Sequence, residues 1–278
     1  MTVEPLKLDG KVAWVTGSSR GIGRVIATFL ASQGADVAIH GTTPYSTQAF
    51  GEGSSLDALA KEIAQSTKKR ILPTSGDLTD DVIVRKIYTQ IENKLGSLDI
   101  LVNCAGGDIG TTGTSGPMAG KPANNDPVNI DVEDIHTVIN RNLMTCILCS
   151  RAVAPKMIQR KSGRIVSIGS VAGLQGSSNS AIYATAKAAV HEYTRCLADM
   201  LREYNVSANV IAPGEIETPR FLASRVVDES MRQSGDTLLR YGQSIEVARA
   251  VGFLVSDENT YITGQVLRVD GGKQIWAG

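Results

Sequence analysis

A doubly wound α/β fold, one parallel sheet of seven strands with helices on both faces, is what three features of the sequence predict. Short β-rich runs alternate with longer amphipathic ones from one end of the chain to the other. The β-rich runs are nearly continuous in apolar residues, as strands covered on both faces must be, and each is followed by a helical pattern. A glycine-rich turn, TGSSRGIG from Thr16 to Gly23, ends the first run and opens the first helical one.

The elements follow in order. KVAWVT is the first strand, and the helical pattern near residues 21–33 returns the chain to the start of DVAIH, the second. A pattern near 54–66 leads to RILPTS, and one near 80–94 leads to LDILVN. The long pattern 131–160 precedes GRIVSI, and 181–204 precedes SANVIA. Helical patterns around 218–234 and near 244–256 come before the last strand, QVLRVD. No composition break divides the chain and no repeat recurs at a fixed period, so residues 1–278 are expected to form one domain. Its 42% hydrophobic content is enough for a substantial core. The segment 106–129, rich in Gly, Pro, Ser, Thr and Asn, is a loop of the length that usually serves function.

Charge narrows the function classes. With 28 basic and 28 acidic residues there is no global field to gather nucleic acid or an anionic membrane, so neither is an expected partner. No apolar run approaches the roughly 20 residues of a membrane span, and MTVEPLKLDGK lacks a basic region followed by an apolar core. A cytoplasmic protein is expected. Cys104, Cys146, Cys149 and Cys196 are too scattered for a disulfide framework. Cys146 and Cys149 form a CxxC, but inside the apolar helical run NLMTCILCSRAV they read as core residues. His40, His136 and His191 are far apart and form no metal-ligand motif, so no metal site is expected.

The turn 16–23 stands where a doubly wound sheet holds a dinucleotide, because a helix N-terminus offers free N–H groups and positive potential to a pyrophosphate. Its glycines, Gly17, Gly21 and Gly23, depart from the GxGxxG spacing. Gly17, Ser19, Arg20, Gly21, Ile22 and Gly23 are the expected contacts. After the second strand, where an acidic residue favours NAD, the sequence reads HGTT: Thr42 offers no carboxylate, and Arg20 supplies a forked cation for a 2′-phosphate. NADP(H) is the favoured cofactor, with NAD(H) the alternative.

An ordered set of short motifs then resembles the classical short-chain dehydrogenases/reductases over nearly the whole chain: TGSSRGIG, GDL at 76–78, NCAG at 103–106, Asn142 in NRNL, the serine of SIGSVAG, YATAK at 183–187, APG at 212–214 and VDGG at 269–272. The resemblance implies a Rossmann-type fold, commonly assembled as a tetramer or dimer. It places Asp77 and Leu78 beside the adenine, and Asn103, Ala105 and Gly106 in the segment that supports the fourth strand beside the cofactor. Pro213, Gly214, Ile216 and Thr218 fall in the nicotinamide-contacting segment, with Thr218 on the carboxamide.

Tyr183 and Lys187 are four residues apart in a helical run and so share one face, one turn apart. A free phenol titrates near about 10, and a neighbouring ammonium that favours the phenolate lets it trade a proton near neutrality. Tyr183 is the expected general acid/base, Lys187 its ammonium and, by resemblance, the group that holds the nicotinamide ribose. Ser170 ends a strand at the carboxyl edge of the sheet, where its hydroxyl can stabilise a developing oxyanion. Ser167, three residues earlier, is a rival. Asn142 resembles the family asparagine that anchors a water between the lysine and solvent. No histidine motif accompanies Ser170 to make it a nucleophile.

The expected reaction is hydride transfer between a nicotinamide and a carbonyl or secondary alcohol. Loop 106–129 and a lid at 215–238, with Phe221, Leu222 and Val226 beside Arg220 and Arg225, are expected to shape the pocket. That mixed surface suits a small polar substrate, a sugar, polyol or keto acid. A 3-oxoacyl thioester is the alternative. The carrier-docking arginines of those reductases align with Pro155 and Tyr204, leaving only the neighbours Lys156 and Arg202 to replace them. A dinucleotide-sensing protein without turnover is a reading of a different class, and it has no need of the proton-transfer residues this chain keeps.

Overall fold

The computed structural model describes residues 8–232 and 237–276. Its strands are β1 (Val12–Val15), β2 (Asp36–Gly41), β3 (Ile71–Ser75), β4 (Ile100–Asn103), β5 (Gly163–Ile168), β6 (Val206–Pro213), a short pair β7 (Ile216–Glu217) and β8 (Gly242–Gln243), and β9 (Val266–Val269). Seven form one sheet in the order β3-β2-β1-β4-β5-β6-β9. All six of its pairings are parallel. The helices are α1 (Gly21–Ser32), α2 (Leu56–Thr67), α3 (Asp81–Leu95), α4 (Pro117–Gly120), α5 (Val132–Ile139), α6 (Thr145–Arg160), α7 (Ala181–Leu201), α8 (Pro219–Ala223) and α9 (Ser244–Val255). The strand order reverses between β1 and β4, which opens a crevice at the carboxyl ends of those strands.

Alternate residues of each strand face opposite layers, and this fixes the register. Ala13 and Val15 join Ile26 and Leu30 of α1 and Val251 and Leu254 of α9 in one core. Val12 and Trp14 join Ile91 of α3, Val153 and Met157 of α6 and Leu201 of α7 in the other. Each fully buried Leu or Ile contributes about 1.5–3 kcal/mol, and a one-residue slip would exchange the two faces.

The helix boundaries follow local chemistry. The expected 54–66 pattern begins at Leu56 because the Ser55 side chain accepts the Ala58 N–H at 3.1 Å. Likewise Asp80 stands outside α3 as its cap, accepting from Val82 and Ile83. The expected helix 131–160 is broken by a π turn at Asn140–Met144. The pattern 218–234 yields only α8, capped by Thr218, and a 3-10 turn at Glu229–Arg232. Between them Ser224 donates to the Phe221 carbonyl and Asp228 accepts the Ser230 N–H, local bonds that compete with a helix. Residues 233–236, which include the last two positions of that pattern and form part of the expected lid, lie outside the described residues. The pair β7–β8 is too short to leave a period in the sequence.

Loop 106–129 is anchored rather than loose. Thr111 donates its N–H and its hydroxyl to Asp134 of α5, at 2.7 and 2.9 Å. Arg220 of α8 reaches back to the Asp108 carbonyl at 2.7 Å, joining the lid to this loop. None of the helices among the described residues is long and apolar enough to cross a membrane.

Candidate active site

The turn after β1 is tied to the sheet through side chains, and its glycines line the crevice. Thr16 Oγ1 accepts the N–H groups of Cys104 and Ala105, at 2.9 and 3.0 Å, locking the ends of β1 and β4 together. Gly17 has φ +63°, and a Cβ there would stand 2.7 Å from the Ala105 Cα. A Cβ on Gly23 would stand 2.5 Å from the Gly17 carbonyl oxygen, so only glycine lets α1 sit down on the turn.

His40, at the end of β2, is a structural part of this turn that sequence reasoning passed over. Its Nδ1 accepts the Gly17 N–H at 3.2 Å and its Nε2 donates to the Gly76 carbonyl at 3.0 Å. Burial lowers its pKa to about 4, against the Gly76 carbonyl and Asp77, which pull it up. The ring is therefore neutral and free to accept.

Helix α1 has no side-chain cap bond and no acidic residue in its first turn. Arg20, at its N-cap, donates from Nη1 to the Ser46 carbonyl at 2.9 Å and lies 6.0 Å from the Phe50 ring centre. Burial lowers the Arg20 pKa, Glu52 raises it and Arg141 lowers it again. Arg20 forms no ion pair among the described residues. The Gly21 N–H donates to Glu52 Oε2 at 2.7 Å. Glu52 is thus a second residue the sequence did not disclose: it lies well past the HGTT that ends β2 and returns only through the fold of the intervening strap.

The crevice is a cavity of about 480 Å³. The turn residues Gly17, Ser19, Arg20, Gly21, Ile22 and Gly23 form one end, with Thr42, Asp77, Leu78, Ala105 and Gly106 along it. Ser170, Tyr183, Lys187, Pro213, Gly214 and Thr218 line it too. The glycine cradle and the N-terminus of α1, whose N-cap residue Arg20 makes no side-chain cap bond, fit a dinucleotide phosphate. Three expected residues stand back from the wall. Asn103 donates its amide to Ser150 Oγ at 2.9 Å and ties β4 to α6. Ile216 is buried in β7. Asn142, in the π turn, accepts the Gly107 N–H at 2.9 Å and donates to the carbonyls of Gly107 and Val138, at 3.0 and 2.8 Å. Both donors of its amide are engaged, so the side chain holds the loop after β4 in place.

At the other end, Tyr183 and Lys187 stand one turn apart on α7. Lys187 Nζ is buried, donates to the Ile168 carbonyl at 2.7 Å and lies 5.7 Å from the Tyr183 ring centre. It forms no ion pair among the described residues, and the residue lines the cavity. Ser170 caps a 3-10 turn, its Oγ accepting the Ala172 N–H at 3.1 Å, which leaves the hydroxyl proton to donate. Ser167, the rival, is fully buried with its Oγ 3.0 Å from Thr194 Oγ1. His191 Nε2 accepts the Ser170 backbone N–H at 3.3 Å. Burial, then Lys187 and Arg195, bring its pKa down to about 4. This imidazole supports the backbone and does not touch the Ser170 hydroxyl, so the contact is not that of an activated nucleophile.

Arg220 of the lid lines the cavity beside Tyr183. Burial lowers its pKa, and Tyr183 and Asp108 raise it. Arg225 stacks 3.9 Å from the Phe221 ring centre and pairs with Glu215 at 3.3 Å. Among the described residues no cluster of His, Cys, Asp or Glu is arranged to hold a metal ion.

A model of the short chain dehydrogenases matches residues 11–226. The chain is 36% identical to the cyclohexanol dehydrogenase of Rhodococcus sp. (strain TK6), over 96% of this chain and 97% of that protein. It is 35% identical to the 3-oxoacyl acyl-carrier-protein reductase of Aquifex aeolicus, over 96% and 98% of the two chains. Among solved structures, a 7α-hydroxysteroid dehydrogenase complexed with NADH and 7-oxo glycochenodeoxycholic acid superposes with a TM-score of 0.82 at 30% identity, covering 98% of this chain and 97% of that one.

Proposed function

The chain belongs to the short-chain dehydrogenase family and is an NAD(P)-dependent oxidoreductase of carbonyl and alcohol groups; we propose that Tyr183, Ser170 and Lys187 carry its chemistry on a small polar substrate, with NADP(H) preferred. The supporting observation is that these three residues line the same cavity as the glycine turn. Bound nicotinamide supplies or accepts the hydride. The Tyr183 hydroxyl gives a proton to the substrate oxygen in reduction and takes it in oxidation. Ser170 donates a hydrogen bond to that oxygen as it gains charge, stabilising the transition state more than the ground state. Lys187 supplies a buried positive charge beside the phenol. A spectrophotometric screen of carbonyls and alcohols with each reduced and oxidised cofactor tests this reading; no turnover with any polar carbonyl or alcohol would overturn it.

For the substrate, Arg220 in the cavity wall favours a polar or anionic molecule such as a sugar, polyol or keto acid. The 3-oxoacyl thioester named for the Aquifex relative is the second reading. Against it, Lys156 pairs with Glu92 and Arg202 with Asp199, so the two cations nearest the expected carrier-docking positions already have partners. The screen therefore includes a 3-oxoacyl thioester.

For the cofactor, Arg20 is the cation placed for a 2′-phosphate. Arg20→Ala is expected to raise the KM for NADPH about 10-fold or more and that for NADH by much less, in line with the loss of a charge-assisted contact. Equal effects on both would remove Arg20 from this role. Leu267 on the edge strand β9, and Ile275 and Trp276 just beyond it, are exposed, which supports a homo-oligomer, a tetramer or dimer, that light scattering will detect.

A further inference from the structure

The strap between β2 and α2 folds back over the dinucleotide turn. It contains the 3-10 segment Ser46–Gly51, and Phe50 and Gly51 at its end have φ of 63° and 71°, so the chain reverses and presents Glu52 to α1. Glu52 Oε2 takes the Gly21 N–H at 2.7 Å. Arg24 of α1 donates to the Glu52 backbone carbonyl and pairs with Glu62 of α2 at 2.8 Å, holding this end of the strap down. The strap also covers Arg20, through Ser46 and Phe50. Glu52 Oε1 is buried without a hydrogen-bond partner among the described residues, although the side chain lines the cavity.

A carboxylate oxygen left unpaired inside a protein is costly. Here the positive end of α1 and the nearby guanidinium of Arg20 compensate it. Those are the same two features that make the site suitable for phosphate. The protein's own carboxylate therefore stands where a cofactor phosphate would gain most, and the two anions compete for one N–H group and one cation.

We propose that Glu52 is an internal counter-anion of the dinucleotide turn and a determinant of cofactor choice: it competes with cofactor phosphate for the start of α1 and for Arg20, and it penalises the 2′-phosphate of NADP(H) more than the bare ribose of NAD(H). The inference rests on the reading that this cleft takes a dinucleotide with its adenosine end beside Arg20. It implies that the native preference for NADP(H) is blunted: Arg20 attracts the extra phosphate while Glu52 opposes it.

The test is direct binding of NADPH and NADH to the full-length protein, by fluorescence titration without substrate. Glu52→Gln preserves the size of the side chain and its ability to accept the Gly21 N–H, and removes the charge. It is expected to lower the Kd for NADPH about 10-fold and that for NADH by no more than about 3-fold, with the gain shrinking as salt rises from about 0.05 to 0.5 M. Glu52→Ala, which also frees the N–H, is expected to shift NADPH in the same direction. An NADPH Kd that is unchanged or higher in both variants overturns the proposal. Arg20→Ala, titrated alongside, separates the two readings. If it leaves the NADPH preference intact, the role given to Arg20 fails, while the Glu52 variants still decide the counter-anion on their own.

Discussion

Replacing Tyr183 with Phe is expected to lower kcat about 10³-fold or more while leaving the Kd for the dinucleotide within about 2-fold, since positioned acid–base groups contribute about 10²–10⁴ in rate. Phenylalanine keeps the ring and removes only the hydroxyl. Lys187 stays anchored by its bond to the Ile168 carbonyl, which does not involve Tyr183, so the cavity wall keeps its shape. Ser170 has its Oγ engaged by the Ala172 N–H and can donate a hydrogen bond but cannot relay a proton as the phenol does. Its removal in Ser170→Ala is therefore expected to cost less, about 10², the scale of one lost oxyanion donor. Among the described residues that line the cavity, no other hydroxyl stands one turn from Lys187 on α7. Turnover in Tyr183→Phe close to that of the native protein, with any substrate the native protein accepts, would show that proton transfer runs elsewhere.

What the sequence disclosed of this site was local in sequence. The turn 16–23, the Tyr183–Lys187 spacing and the strand-end Ser170 are contiguous patterns, and each declares its geometry through a helix period or a strand-to-helix junction. The layered fold was legible for the same reason: strands such as VAWV and ILVN are buried along their whole length. The residues that escaped act across distance. Glu52 meets Gly21, 31 positions earlier, only after the strap reverses at Phe50 and Gly51. His191 meets Ser170 from the middle of α7. Arg220 meets Asp108 across 112 positions. No period encodes such contacts. The break in the helix at Asn140–Met144 was hidden because an apolar pattern runs through it, and a π turn adds one residue without changing the composition. Asn103, Asn142 and Ile216 show the converse: their places in motifs were readable, but their side chains or packing serve the backbone around the cavity and not its wall.

His40 had one faint signal, a polar side chain closing the apolar run DVAIH beside the glycine turn, and it leads to the second large effect: the folded protein is expected to lose about 3 kcal/mol between pH 6.5 and 4 through this residue alone. Burial places its folded pKa at about 4, below the ordinary value of 6.5. Between those two values the unfolded chain binds a proton that the folded chain refuses, so stability falls as the pH is lowered through that window. Above it the contribution is complete, and below it the loss levels off. The structural cause is specific, because a protonated imidazole could no longer accept the Gly17 N–H, and the dinucleotide turn would lose its tie to β2. His191, held to about 4 by burial and Lys187, titrates in the same window and adds to the slope. Glu246, whose pKa Arg240 brings down to about 2, loses its contribution mainly at lower pH, between about 4.5 and 2. Denaturant unfolding at a series of pH values checks the sum, and His40→Asn isolates the part due to His40. That variant is expected to be less stable near pH 7.5 and to show a visibly shallower decline toward pH 4. A native protein whose unfolding free energy is flat across this window would mean that His40 exchanges its proton as freely folded as unfolded, and the neutral acceptor at the base of the turn would have to be given up.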